Sequence, residues 1–266
     1  MRLARIRQRV TAARARWRAS SALRFVLIVG GALVLASGCA SADPAEAAVK
    51  AVIGDLGAQR FATATARYRE AEDVILSAAA APAWRRGLEH QDSTVREWSV
   101  DALARIGEPD DVASLVAALD DSFRNVQEAA ARGLVDLDRA AARDAFIERL
   151  ASGDAMKQMI AAQGLADLGD VAAVPPLIAG LRDQATENAV RSIIAQSLAA
   201  LGDARAIEPL AAVAGDPSLD LRLRRNAAEG LATFEEGEAT QALRGLLESD
   251  DSYVQELARR TIAARR

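Results

Sequence analysis

The sequence predicts an all-α fold, an α-solenoid of about six helix-turn-helix repeats followed by a terminal half repeat. Two features of composition point to helices: 62 of the 266 residues are alanine, and only 4% are aromatic. Alanine favours helices, whereas sheets are built from β-branched and aromatic side chains. A third feature, an apolar pattern that recurs every 31 to 33 residues, indicates stacked supersecondary units.

The chain begins with a segment that predicts export. Residues 1–42 contain eight arginines and no acidic residue, and residues 25–38 form an uncharged, largely apolar stretch that ends at Cys39, the only cysteine. A basic start, an apolar stretch of this length and small residues before a boundary are typical of a secretory signal.

The end of this stretch, Leu35-Ala36-Ser37-Gly38-Cys39, resembles the lipobox of bacterial lipoproteins, in which the cysteine is diacylated and becomes the mature N-terminus. The resemblance implies a lipoprotein signal peptide over residues 1–38, lipidation of Cys39 and a short lipidated tether over residues 39–49. Two other interpretations stay open. Residues 25–42 carry no charge and are close to the shortest segment that spans a bilayer, so they could form an uncleaved anchor. Ordinary cleaved secretion is the other.

All three interpretations place the rest of the chain outside the cytoplasm. We therefore expect an exported, cell-envelope lipoprotein that contacts the membrane through its lipid anchor. Because Ala40 follows the cysteine where an aspartate would otherwise stand, analogy with lipoprotein sorting suggests the periplasmic face of the outer membrane in a bacterium with two membranes. Export also divides the charge. Eight of the 33 basic residues lie in the signal, which leaves 25 basic against 37 acidic residues, a net charge of −12.

The repeats are predicted over residues 50–266. Each repeat has an apolar reference residue, and successive reference residues are 31, 31, 33, 33 and 31 positions apart. In most repeats, apolar residues also stand eight and four positions before the reference residue and three positions after it. These offsets define one face of a first helix, and apolar residues twelve and sixteen after the reference define a second helix. The reference residues are Leu103, Leu134, Leu165, Leu198, Leu231 and Ile262.

Turn residues separate the two helices of a repeat. Gly107, Gly169 and Gly202 follow the first helix, and Asp170 and Asp203 come directly after two of them. Glycine accepts the left-handed backbone that ends a helix, and aspartate caps the next one.

The two ends of the array depart from the pattern. In the first unit, residues 50–90, Trp84 and Leu88 are in register with the second helix, but Glu72 replaces the reference leucine. We expect this unit to act as an N-terminal cap. The last unit begins at Asp250 and has room for a first helix only, so it is the half repeat.

The chain resembles HEAT repeats over about residues 50–266, especially the short bacterial kind of the phycobilisome lyases. The motifs that carry the resemblance are Asp92-Ser93-Thr94-Val95-Arg96 followed by Ala102-Leu103-Ala104-Arg105-Ile106-Gly107, and Ala199-Ala200-Leu201-Gly202-Asp203 with Ile207-Glu208-Pro209-Leu210. The resemblance implies a scaffold for protein–protein interaction that binds a protein or peptide on a concave side lined by the second helices. The alternative is a phycobilisome-lyase-like enzyme or a protein that binds a small molecule or chromophore, although such lyases act in the cytoplasm.

Positions eleven and fifteen after the reference residue are therefore the candidate binding residues. They are mostly small and mildly apolar, which suits an apolar or helical peptide. The exception is an arginine that could anchor an acidic group. A second interpretation is that small residues here let adjacent helices pack closely. The candidates are Ser114, Arg149, Pro176, Pro209, Val213 and Leu246.

The sequence offers no catalytic constellation. With one histidine, His90, and one cysteine it cannot supply a His/Cys zinc site, and we expect no enzyme activity, no metal and no cofactor. Recurring acidic residues (Asp92, Asp154, Glu187, Asp220, Asp251) are interpreted as helix caps, and Arg96, Arg191 and Arg224 as links to the neighbouring repeat. Beyond the signal the only lysines are Lys50 and Lys157, so we expect no nucleic-acid binding.

The lipidation of Cys39 is directly testable. Cys39→Ser removes the sulfur that accepts the acyl chains, so the protein should move from the membrane fraction to the soluble periplasmic fraction or accumulate as an uncleaved precursor. Cell fractionation and intact mass measure this. Ser41→Ala, two residues downstream, is the matched control and should fractionate like the wild type. If Cys39→Ser also keeps the wild-type mass and fractionation, Cys39 is not lipidated.

Overall fold

The computed structural model describes residues 43–235 and 237–265, which belong to one compact unit. The expectations for the signal peptide, Cys39 and residues 40–42 lie outside the described residues. Within them the chain forms fifteen α-helices and no strand. The helices are α1 Pro44–Gly57, α2 Phe61–Glu70, α3 Glu72–Ile75, α4 Ala81–Gly87, α5 Ser93–Ile106, α6 Val112–Ala118, α7 Arg124–Leu137, α8 Arg139–Leu150, α9 Ala155–Leu168, α10 Val174–Arg182, α11 Asn188–Leu201, α12 Ile207–Gly215, α13 Leu221–Ala232, α14 Gly237–Gly245 and α15 Ser252–Ala264.

The predicted all-α repeat architecture is confirmed, and the helices form two layers. The first-helix layer consists of α5, α7, α9, α11, α13 and α15, each of which packs against its neighbours in the layer. The second-helix layer consists of α4, α6, α8, α10, α12 and α14. The reference leucines from Leu103 to Leu231 are fully buried between the layers, and Ile262 is half-buried at the end. In the described part of the chain, no helix is both long and apolar enough to cross a membrane.

Helix ends follow the predicted turn chemistry. Gly107, Gly169 and Gly202 have φ values of +76°, +62° and +64°, the left-handed region that glycine adopts without strain. The side chains of Asp92, Asp154, Asp220 and Asp251 accept hydrogen bonds from backbone N–H groups in the first turns of α5, α9, α13 and α15, as expected for caps. Glu187 differs, because its side chain makes no capping hydrogen bond to α11.

The helices that pack most closely are not the two helices of one sequence repeat. Each second helix packs more extensively against the first helix that follows it than against the one that precedes it. The resulting pairs are α4–α5, α6–α7, α8–α9, α10–α11, α12–α13 and α14–α15. The half repeat of the sequence, α15, therefore closes the sixth pair.

One column of side chains explains this pairing. Seven residues before each reference position stands an arginine or a glutamine, and its side-chain N–H donates to a backbone carbonyl at the end of the preceding second helix or in the turn that follows it. The donor–acceptor distances run from 2.6 Å for Gln127 to 3.5 Å for Arg224. Carbonyls at a helix end have no partner within the helix, so these bonds satisfy those of Leu150, Leu181 and Ala214, and the other three donors bind the turn. The six donors are Arg96, Gln127, Gln158, Arg191, Arg224 and Gln255.

Two of the arginines also hold the next repeat, as predicted. Arg96 makes two hydrogen bonds to Asp121, at 2.7 and 2.9 Å, and Arg224 pairs with Asp250. Burial opposes ionisation of Asp121, but hydrogen bonds from Arg96 and the Phe123 N–H outweigh it and hold the pKa of Asp121 below its usual value. Arg191 bonds instead to the Leu181 carbonyl and Asn188.

The N-terminal unit replaces one regular first helix with α1, α2 and α3. The unit was predicted to start at residue 50, but α1 begins at Pro44. Two residues of the predicted tether, Ala45 and Val49, are buried. The physical reason is a helix start signal, in which Asp43 caps the Ala45 N–H at 2.9 Å and Pro44 occupies the first helical position. Only residues 39–42 of the predicted tether thus precede the described body.

The column of arginine and glutamine donors, which we call the arginine ladder, predicts that two ion pairs contribute unequally to the free energy of unfolding. Arg96→Met removes hydrogen bonds between charged groups that are almost fully buried, with side-chain exposures of 10% and 13%, and should lower the free energy of unfolding by about 1.5–3 kcal/mol. Arg182→Met removes an exposed pair with Glu208 and should cost at most about 1 kcal/mol. Chemical denaturation measures both, and equal costs would contradict a structural role for the ladder.

The same pair has a predictable pH dependence. Because the pKa of Asp121 is lower in the folded protein than in the unfolded chain, the pair stabilises the fold above about pH 4 and this contribution is lost as the pH falls through the folded value. The difference in unfolding free energy between the wild type and Arg96→Met should therefore narrow below about pH 4. A difference that stays constant from pH 7 to pH 3 would contradict this assignment.

Candidate partner-binding groove

A groove lies on the first-helix layer between α7 and α9 and reaches Ile193 of α11. Its volume is about 270 Å³. We call it the α7–α9 groove, and its lining residues are Arg124, Glu128, Ala131, Arg132, Met156, Met159, Ile160, Gln163, Gly164, Asp167 and Ile193.

The groove lies where the repeat is irregular. Asp138 stands where three other repeats have glycine, and it alone separates α7 from α8 in an extended conformation with φ −147°. The second helix that follows, α8, has 12 residues, whereas α6, α10, α12 and α14 have seven to nine. As a result α9 packs mainly on α8, and α7 contacts α9 less extensively than it contacts α5.

Gly164 lets α8 and α9 approach this closely. A Cβ atom at Gly164 would lie 2.5 Å from Cε2 of Phe146 on α8, a distance that real side chains do not adopt. The phenyl ring thus occupies the space that a side chain of α9 would take. This contact seats α9 closely against α8 in the second-helix layer.

The floor of the groove is apolar and adaptable. Met156, Met159, Ile160 and Ile193 are each half-buried, and Ala131 is almost fully buried. Apart from Met1, the two methionines are the only ones in the sequence. Methionine is flexible and polarisable, so such a floor can fit apolar groups of different shapes.

The rim has four charged residues, two of which form an ion pair with each other. Arg124 donates to Glu128 at 2.6 Å, and Gln163 donates to Asp167 at 3.2 Å. Arg132 is exposed and makes no hydrogen bond or ion pair with any residue of the described ranges.

A shallower depression indents the same layer on the other side of α11. It lies between Gln196, Ala199 and Ala200 of α11 and Asn226, Glu229, Gly230 and Thr233 of α13, with a volume of about 300 Å³. The outer face of α11 thus borders a depression on each side. Its exposed residues there, Gln196 and Ala200, carry no charge.

A second cleft lies at one end of the second-helix layer, between the α8–α9 loop and α10. It has a volume of about 560 Å³, and Pro176, Gly180, Ser152 and Thr186 are among the residues that line it. The hydroxyl of Ser152 is buried and has no hydrogen-bond partner in the described part of the chain. We call this second cleft the α8–α10 cleft.

The structure distributes the predicted binding residues over the second-helix layer without bringing them together at one site. Pro176 lines the α8–α10 cleft, and Ser114 is half-buried. Pro209, Val213 and Leu246 are buried, the last two with 6% and 4% exposure. For these three positions the second interpretation fits better, because small and apolar residues here pack adjacent helices and leave little surface for a partner.

Arg149 does not have the free charge that the sequence suggested. Its side chain is only 11% exposed, it pairs with Asp120, and it donates to the Val116 carbonyl at 2.9 Å. Lys157 also pairs with Asp120 at 2.6 Å, and these two cations outweigh burial and lower the pKa of the carboxyl. The guanidinium therefore joins α8 to α6 and is not available to anchor a partner.

His90 has a structural position, as its sequence context suggested. Its Nδ1 accepts a hydrogen bond from the Asp92 N–H at 3.0 Å, and its ring lies against Gly57. No group of three or more His, Cys, Asp or Glu side chains within residues 43–235 and 237–265 could hold a metal ion.

The α7–α9 groove was not predicted from the sequence, although two signals were present. Met156 and Met159 are spaced as neighbours on one helix face, outside the buried columns. Their repeat follows the one in which Asp138 replaces the turn glycine. A break in the repeat next to exposed methionines was therefore the visible sign of a surface site.

The comparisons with known proteins agree with this architecture. The family model described as HEAT repeats matches residues 39–134, 112–189 and 175–263. No curated protein sequence matches the chain.

Solved structures with the same fold include Kap121p bound to Nup53p, with a TM-score of 0.60, 14% identity and coverage of 83% of this chain and 30% of that one. The karyopherin Kap121p bound to the extreme C-terminus of the protein phosphatase Cdc14p has a TM-score of 0.59, 15% identity and the same coverage. The complex of CpcE and CpcF of phycocyanin lyase from Nostoc sp. PCC7120 has a TM-score of 0.41 and 19% identity and covers 90% of this chain and 100% of that one.

At such identities the two Kap121p structures show the fold only. The family match extends over most of the chain and includes every repeat described above. The chain belongs to the family of HEAT-repeat proteins.

Proposed function

We propose that this protein is a membrane-tethered scaffold of the bacterial cell envelope that binds a protein or peptide partner in the α7–α9 groove. The observation that carries the proposal is an apolar, methionine-containing floor inside a charged rim, placed where the repeat departs from regularity. A concave site with a mainly apolar lining and a few polar groups is the usual form of a binding site.

The shape of the groove favours a peptide over a small molecule. From Met156 to Asp167 its wall on α9 extends over eleven residue steps, about 16 Å at 1.5 Å per residue. An amphipathic helix of about three turns can lie along such a wall with its apolar side chains on the floor. The volume of about 270 Å³ is slightly below the usual range for small-molecule sites, roughly 300–1,000 Å³.

Proteins of the same fold support a peptide-binding role. The structures of Kap121p hold Nup53p and the extreme C-terminus of Cdc14p. Because a fold does not by itself imply a function, we use this similarity only as evidence that stacked HEAT repeats can hold protein segments.

The lipid anchor would supply the location. Acyl chains on Cys39 would hold the repeats at the membrane, on the periplasmic face of the outer membrane where there are two membranes. Tethering raises the effective concentration of the groove near membrane-bound partners. We assign no catalytic residue, metal or cofactor. The net charge of −12 beyond the signal disfavours nucleic acid as the partner.

Site-specific photo-crosslinking in intact cells tests the groove. A photo-reactive amino acid at Gln163, which is exposed on the groove rim, should give a discrete crosslinked partner. The same amino acid at Ala117, exposed on α6, is the control and should not. Met159→Glu places a charge on the floor and should abolish the crosslink from position 163, because docking would bury that charge.

Two outcomes would contradict the proposal. A partner that crosslinks from position 117 and not from 163 would place the binding surface on the second-helix layer. The absence of a discrete product from both positions would argue against a scaffold role. Adding Cys39→Ser should weaken the crosslink from 163 if anchoring brings the partner and the groove together.

A second candidate function rests on the α8–α10 cleft. Its volume of about 560 Å³ lies within the usual range for small-molecule sites, and the Ser152 hydroxyl has no protein partner in the described ranges. This favours the alternative of a small-molecule or chromophore-binding protein, or a phycobilisome-lyase-like enzyme. Absorption spectra and native mass spectrometry of the purified full chain distinguish the two functions, since a stoichiometric pigment or ligand would support this alternative over the scaffold.

A further inference from the structure

We infer that the partner of the α7–α9 groove is an acidic amphipathic helix and that Arg132 is the residue that recognises its carboxylate. The inference rests on the proposed function, because it requires that the groove bind a peptide. It adds the chemistry of the bound segment and assigns a specificity-determining residue.

The charged residues of α7 leave one arginine on the groove rim without a partner. Arg124, Glu128 and Arg132 are spaced four residues apart, so they lie on one face of the helix and border the groove. Arg124 and Glu128 neutralise each other through a 2.6 Å hydrogen bond. Arg132 makes no such bond within the described residues, so the α7 side of the groove has one positive charge without an ion-pair partner.

No carboxylate that faces Arg132 forms an ion pair with it in the described ranges. On α9 the Asp167 carboxylate keeps its negative charge but accepts its hydrogen bond from Gln163 and not from Arg132. On α5 Asp101 acts on Arg132 electrostatically without a hydrogen bond between them, and burial raises the pKa of Asp101 despite that attraction. Arg132 therefore keeps its N–H donors available for a ligand, and a guanidinium binds a carboxylate through two parallel hydrogen bonds.

The position of Arg132 relative to the floor sets the pattern of the ligand. Arg132 and Gln163 both lie two residues before their reference leucines, so they are level with each other across the groove. Met159 and Met156 lie one and two turns nearer the helix N-termini. A ligand helix that buries two apolar side chains against the methionines must place its acidic side chain one or two turns farther along the groove.

Selection from a peptide library tests this chemistry. The full chain, purified in detergent, is used to select from a random twelve-residue peptide library displayed on phage, and enriched peptides are synthesised and titrated by fluorescence anisotropy. We expect peptides with Asp or Glu three to eight residues from a pair of apolar residues. Arg132→Glu should weaken their binding at least about tenfold, since it replaces a charge-assisted hydrogen bond with repulsion.

The controls separate this inference from the proposed function. Arg69→Glu reverses an exposed arginine on α2, away from the groove, and should leave the affinity unchanged. Met159→Glu should abolish binding of every groove peptide. Circular dichroism should show that Arg132→Glu is folded and unfolds cooperatively, because Arg132 makes no hydrogen bond in the described fold and its attraction to Asp101 acts between exposed side chains.

The remaining outcomes are each decisive. Peptides that lose binding in Met159→Glu but bind Arg132→Glu as tightly as the wild type would overturn the acidic-ligand inference and leave the groove as a peptide site. A selection that yields no peptide sensitive to Met159→Glu would overturn both. Selection on Arg132→Glu itself should enrich Lys or Arg at the position where the wild type selects Asp or Glu.

Discussion

The packing of this protein depends on one recurring hydrogen bond, from an arginine or glutamine side chain to a backbone carbonyl at the end of the preceding second helix or in the turn that follows it. Carbonyls at a helix end or in a turn have no partner within the helix, and the side-chain N–H supplies one. Arg96, Gln127 and Gln158 show that two side-chain types can do the same work, because each offers an N–H donor on a flexible stem. This bond joins each second helix to the first helix that follows and so defines the true pair.

The candidate function depends on a local failure of the repeat. Asp138 stands where three other repeats have a turn glycine, α8 is longer than the other second helices of the two-layer array, and Phe146 of α8 packs against Gly164 of α9. The methionines of α9 are half-buried in the groove, and Arg132 lies beside them without a hydrogen bond or ion pair in the described ranges.

Much of the fold was predictable because each repeat satisfies local rules. Leucine columns, turn glycines and capping aspartates state where helices run and end, and the structure bears this out at Leu165, Gly202 and Asp220. The binding surface was less predictable. Position 149 follows the same column as small residues in other repeats, and no sequence rule shows that its guanidinium is held by Asp120 and the Val116 carbonyl. Such contacts join residues about 30 positions apart, and sequence spacing does not specify them.

By itself the sequence determined the all-α class, the number of helix pairs and the column of residues that forms the core, because helical periodicity and turn chemistry are local properties of the chain. The tertiary structure alone decided which helices form a pair, which layer leaves a groove, and that Arg132 on the rim of that groove remains unpaired. These depend on the distances between neighbouring helices. The distances are set by the volume of side chains such as Phe146 and by the absence of one at Gly164, where two distant segments meet.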